Sequence, residues 1–151
     1  MKKIKTGAVA LALTMFSMVT FAQVQDIPEK IQSHFKATYP AAVVEDWDKE
    51  RDGSYEVEFS INGVEWEAYY SAAHEWLRTE RDVKRSDVPQ AVLHAIAKTD
   101  YASWKIDDIE EHHTPEHKSV YEIEVEKTGN KAYVYLLPDG TTVKLQSHNY
   151  R

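Results

Sequence analysis

The 151-residue chain carries 18 lysines and arginines against 25 aspartates and glutamates, a formal net charge of −7, and no cysteine. That balance excludes disulfides, thiol chemistry and thiolate metal sites, and it lacks the basic excess that nucleic-acid phosphates require. With 42% hydrophobic residues and four tryptophans, a core held by burial alone is within reach.

The first 22 residues read as a secretory leader. Lys2, Lys3 and Lys5 precede an apolar run over 7–19, which closes on Thr20-Phe21-Ala22, with small residues where a signal peptidase reads. The run is shorter than the roughly 20 apolar residues of a spanning helix. Cleavage after Ala22 is expected to leave residues 23–151 as one domain, periplasmic or secreted, with no membrane attachment and a more acidic balance.

From there the chain contains one unit twice, over 26–84 and 87–147. Asp26-Ile27-Pro28-Glu29-Lys30-Ile31 returns as Asp87-Val88-Pro89-Gln90-Ala91-Val92. Each copy opens with a helix, because proline suits the first turn, where a missing N–H costs nothing. Ile31 with Phe35, and Val92 with Ile96, then share one face. Tyr39-Pro40 ends the first helix, since the residue before proline is pushed out of the α region. A strand is expected over 43–50. Tyr55-Glu56-Val57-Glu58-Phe59-Ser60-Ile61 then alternates apolar and polar residues, the period of a half-buried strand.

Asn62-Gly63 is a strong two-residue hairpin signal. It pairs Ile61 with Val64, Phe59 with Trp66, Val57 with Ala68 and Tyr55 with Tyr70, all on the face a helix can cover. A fourth strand over 75–82 completes αββββ. The second copy repeats the order, with strands at 106–111 and 141–147 flanking a hairpin that sets Tyr121, Ile123 and Val125 against Ala132, Val134 and Leu136. Ile31, Phe35, Val57, Phe59, Trp66, Val92, Ile96, Ile123, Val125 and Val134 are expected in one core. Trp47, Trp76 and Trp104 have no face assigned by the pattern.

The proline-opened helices, the Tyr-Pro and Tyr-Ala exits, the Tyr-Glu-Val-Glu strand and the Asp139-Gly140 turn resemble the PepSY-like group. These are periplasmic proteins often labelled β-lactamase-inhibitor-like and found as tandem repeats behind a signal peptide. The resemblance spans residues 26–147. It implies an α+β fold in which two tandem αββββ repeats form one antiparallel sheet with both helices packed on one face. It also implies a binding or inhibitory role without catalytic residues. Two departures stand out. Ala73-His74 occupies the place of Asp139-Gly140, and the connection at 112–118 is longer than its counterpart at 51–54.

The same pairing puts a second set of side chains on the opposite face: Glu56, Glu58, Ser60, Glu65, Glu67 and Tyr69, then Glu122, Glu124, Glu126, Tyr133 and Tyr135. Glu58 directly opposes Glu67, which is unfavourable. This face is either a solvated acidic surface or a ligand surface. In the second case tyrosines supply contact area and carboxylates supply charge complementarity for a peptide or protein partner. General acid/base work by two of the carboxylates is the remaining option. Nothing in the pattern marks a pocket for it. Serine-nucleophile, phosphate-loop and dinucleotide motifs are absent, so no enzyme and no cofactor is expected.

His112, His113 and His117 are the candidate metal ligands, since imidazole suits zinc, nickel or copper. The four-residue spacing of His113 and His117 works on a helix, whereas Pro115 between them points to a loop. A divalent-cation sensor or buffer, using this segment or the acidic face, is therefore the alternative to a partner-binding protein.

Overall fold

Pro28 and Pro89 adopt the same backbone conformation, φ −54° with ψ 136° and 137°, and each caps the helix that follows. Their carbonyls accept the first amides of the turn, from Ile31 and Gln32 in one copy and Val92 and Leu93 in the other. The helices are α1 (Glu29–Thr38) and α2 (Gln90–Ile96). Tyr39 ends α1, its N–H returning to the Phe35 carbonyl. The computed structural model describes residues 27–144. The leader at 1–22 and the end of the last expected strand fall outside the described residues.

Four strands follow α1: β1 (Val43–Lys49), β2 (Tyr55–Ile61), β3 (Val64–Tyr70) and β4 (Trp76–Asp82). Four more accompany α2: β5 (Lys105–His113), β6 (Val120–Lys127), β7 (Asn130–Leu136) and β8 (Thr142–Val143). They form one antiparallel sheet in the order β1-β2-β3-β4-β5-β6-β7-β8. The β2–β3 register is the one Asn62-Gly63 dictates, from Ile61↔Val64 to Tyr55↔Tyr70. Asn62 at φ 54° and Gly63 at φ 78° supply the two left-handed residues of a primed turn. In the second copy, Thr128 at φ 55° and Gly129 at φ 78° do the same.

The two copies join through β4 and β5, where Thr79 faces His113, Glu80 His112, Arg81 Glu111 and Asp82 Glu110. Counting alternation across that seam leaves Val57, Ala68, Thr79, His113, Ile109 and Ile123 on one face, the face that both helices cover. The expectation of a single core is corrected here. Ile31, Phe35, Val57 and Phe59 pack in one cluster, and Val92, Ile96, Ile123, Val125 and Val134 in another. The seam divides them because it holds Arg81 and Glu111, paired at 2.7 Å, where aliphatic side chains would be needed to fuse the clusters. Trp66 is only half-buried, with its ring 5.1 Å from that of His113 and the Arg81 guanidinium over its face.

Trp47 and Trp76 pack against the first cluster and Trp104 against the second. The departure at Ala73-His74 leaves the turn unchanged. His74 takes φ 64° and Gly140 φ 86°, with the same pair of backbone bonds closing each loop. Among the described residues no helix is long and apolar enough to cross a membrane.

Candidate functional site: the acidic sheet face

The sheet face turned away from the helices is laid out in rows by cross-strand pairing. One row runs Asp46–Glu58–Glu67–Glu80–His112 from β1 to β5. Beside it runs Asp48–Glu56–Tyr69–Arg78 from β1 to β4. On the other side, Asp82–Glu110–Glu122–Tyr135 crosses from β4 to β7, and Asp108–Glu124–Tyr133 lies next to it. Carboxylates directly opposite one another repel, and donors and cations set among them offset part of that repulsion.

Arg78, 9% exposed, is one such cation. Its guanidinium stacks 3.8 Å over the Tyr69 ring and its Nε donates to Glu80. The Tyr69 hydroxyl donates to Glu67 and, at 3.3 Å, lies against Glu56. Lys131 reaches Glu124. His112 is the most buried of these groups, 2% exposed. Its Nε2 lies 2.7 Å from Glu110, 3.6 Å from Glu80 and 3.7 Å from Glu122. Together Arg78, Glu80, Asp108, Glu110, His112, Glu122, Glu124, Lys131 and Tyr133 line a hollow of about 410 Å³.

The electrostatics differ from one carboxylate to the next. The hydrogen bond with His112 holds Glu110 below the usual carboxylate range, and the hydrogen bond from Lys131 does the same for Glu124. Burial pushes Glu122 up, against the pull of His112 and with help from Glu110. Burial and then the Glu67 charge push Glu56 up. Burial, followed by the Asp108 and Glu110 charges, raises Asp82. Burial and hydrogen bonding to Glu67 raise the Tyr69 phenol. Burial is thus the largest cause for the raised groups, and a hydrogen bond from a neighbouring side chain for the two lowered ones.

Glu56, Glu58, Glu67, Tyr69, Glu122, Glu124, Tyr133 and Tyr135 lie on this one face, at the pairings expected from the two hairpins. Tyr69 is no open platform, because Arg78 covers its ring. The histidines separate. β5 continues through His113, so His112 and His113 are strand neighbours on opposite faces. His113 sits 3.6 Å from Glu111 on the helix side. His117 lies in the loop, its N–H bonded to the Thr114 hydroxyl, and with His113 it lines a separate shallow depression. Of the three histidines, His112 alone belongs to the acidic face. Arg78, Glu80, Asp108, Glu110 and Lys131 were not singled out by sequence. Carrying the strict alternation outward from β2–β3 and β6–β7 into β4 and β5 finds most of them.

A family model described as "Putative beta-lactamase-inhibitor-like, PepSY-like" matches residues 18–74 and again 53–144. Among solved structures, a BLIP-like protein from Bacteroides fragilis is 28% identical with a TM-score of 0.66, the match covering 78% of this chain and 83% of that one. A DUF2874 family protein from Bacteroides ovatus is 26% identical with a TM-score of 0.64, covering 78% and 84%. A protein from Bacteroides eggerthii described as "putative periplasmic" shares the fold at 24% identity and a TM-score of 0.61, covering 79% and 87%. No curated protein matches significantly.

Proposed function

The chain belongs to the PepSY-like, β-lactamase-inhibitor-like family, and from that premise we propose that it is an exported, non-enzymatic protein that binds a basic peptide or protein segment on its acidic sheet face, with inhibition of that partner as one outcome. The observation that carries the reading is the set of carboxylate rows running across one side of the sheet while both helices cover the other. Export rests on the leader pattern of residues 1–22. An excess of one charge sign on an open face raises the encounter rate of opposite charge and discriminates against like charge. The half-buried Tyr133, which lines the hollow directly across from Glu124, offers the aromatic contact that binding energy concentrates on.

Titration with lysine- and arginine-rich peptides, set against acidic peptides of equal length, tests the reading. Basic peptides should bind with an affinity that falls as salt rises, and acidic ones should not bind. Tyr133→Ala should weaken binding by about 1–2 kcal/mol, while Glu58→Gln with Glu124→Gln should act mainly on the association rate. Equal binding of both peptide classes, or of neither, refutes it.

A further inference from the structure

We propose that the hollow on the acidic face is a binding site for one divalent transition-metal ion of the zinc class, ligated by His112 Nε2 and by carboxylate oxygens of Glu110 and Glu80. The inference goes beyond partner binding and stands whether or not a basic segment docks. Its starting point is the strand geometry. Glu80 lies directly across the β4–β5 seam from His112, and Glu110 is two residues before it on the same face. One ligand atom from each of the three lies within 4.8 Å of the other two.

Those separations suit a coordination sphere. Tetrahedral zinc with bonds of about 2.0–2.2 Å places its ligand atoms roughly 3.3–3.6 Å apart. His112 Nε2 is 3.6 Å from Glu80, at the upper end of that spacing, and 2.7 Å from Glu110, a hydrogen-bond distance that must open for an ion to enter. Glu122 lies 3.7 Å from the same nitrogen but outside that trio, which leaves the fourth position to a water.

The imidazole, rather than the acids, makes this a site for one class of ion. The ring is 2% exposed and lines the hollow, so packing fixes its aim. Calcium and magnesium take all-oxygen shells of six or more ligands, whereas a nitrogen donor among carboxylates favours zinc and its neighbours. Arg78, which lines the same hollow, donates to both oxygens of Glu80 and so orients that carboxylate. The second acidic trio, Asp82, Asp108 and Glu110, is all oxygen and largely exposed, and brings no nitrogen.

Calorimetry with zinc chloride and the chelator-treated protein at neutral pH is the test. The expected result is one site of micromolar or tighter affinity. Glu110→Gln and Glu80→Gln, at half-buried positions, should each lower affinity at least about tenfold with the melting transition retained. His112→Gln should abolish binding. Its melting curve is measured alongside because the side chain is buried, and the two glutamate variants decide the matter if it unfolds. The His113→Ala/His117→Ala double variant should bind as the parent does. No heat up to about 0.1 mM zinc, affinity unchanged in both glutamate variants, loss in the double variant instead, or calcium bound as tightly as zinc each overturns the assignment.

Discussion

Thr128 holds φ 55° at the first position of the β6–β7 turn, a conformation that costs a β-branched residue and favours asparagine or glycine. The equivalent residue of the first copy is Asn62, at φ 54°. Thr128→Asn is therefore expected to stabilise the protein by about 0.5–1 kcal/mol in chemical denaturation, and a destabilised variant would contradict that account of the turn. The same comparison explains a second difference between the copies. His74 tolerates φ 64° and its ring lies 5.7 Å from that of Tyr55. At Gly140 an added Cβ would come 2.7 Å from the Ala91 carbonyl oxygen in α2, so the second copy needs glycine for space as well as for its positive φ.

Between elements, the β4–β5 seam has its own energetics. Glu111 is held down to about 2 by the neighbouring His113, against the opposing push of burial, and then by Ser119 and Arg81. Its carboxylate range in the folded state thus lies below the ordinary 4.5. Stability from this group is present in full above about pH 4.5 and is lost as pH falls toward 2. The shift sets a ceiling of about 3 kcal/mol, which residual solvent contact cuts to about 1–2 kcal/mol. Glu111→Gln should be less stable than the parent by that amount at pH 7, and the gap should close as the pH approaches 2. A gap independent of pH would show that Glu111 acts through packing rather than charge.

The elements also show which signals the sequence carried. Asn62-Gly63 with strict alternation on both sides fixes β2 and β3 and one face of each, because a two-residue turn leaves a single register. β4 was harder to read, since the irregularity at Tyr69/Tyr70 breaks the count that would place Arg78 and Glu80 on the acidic face. The pattern places a strand over 106–111, and Pro115 points to a loop at 113–117. The strand instead runs to His113, and those two residues carry His112 into the centre of the site. The division of the core was hidden for a related reason. Arg81 and Glu111 meet across a pairing between the two copies, and no local pattern specifies that pairing.

At the scale of the whole molecule, one face holds the protein together and the other is left free to act. The helices and the two apolar clusters occupy one side of the sheet, so the acids on the other can be changed without removing core contacts. A field from such a surface decays over roughly 8 Å at physiological salt, which makes any recognition through it short-ranged and sensitive to ionic strength. Charge placement, and not net charge alone, is then the property that matters.

Two variants separate these. One replaces Glu58, Glu67, Glu122 and Glu124 by glutamine on the acidic face. The other removes the same amount of charge elsewhere, through Glu29→Gln, Glu75→Gln, Asp87→Asn and Glu116→Gln. Affinity capture from envelope extract at low and high salt, with the parent and both variants in parallel, tests the central claim most directly. The account predicts a basic species held by the parent and by the second variant, released by salt, and absent from the first variant. The same species retained on the face-neutralised variant would contradict it.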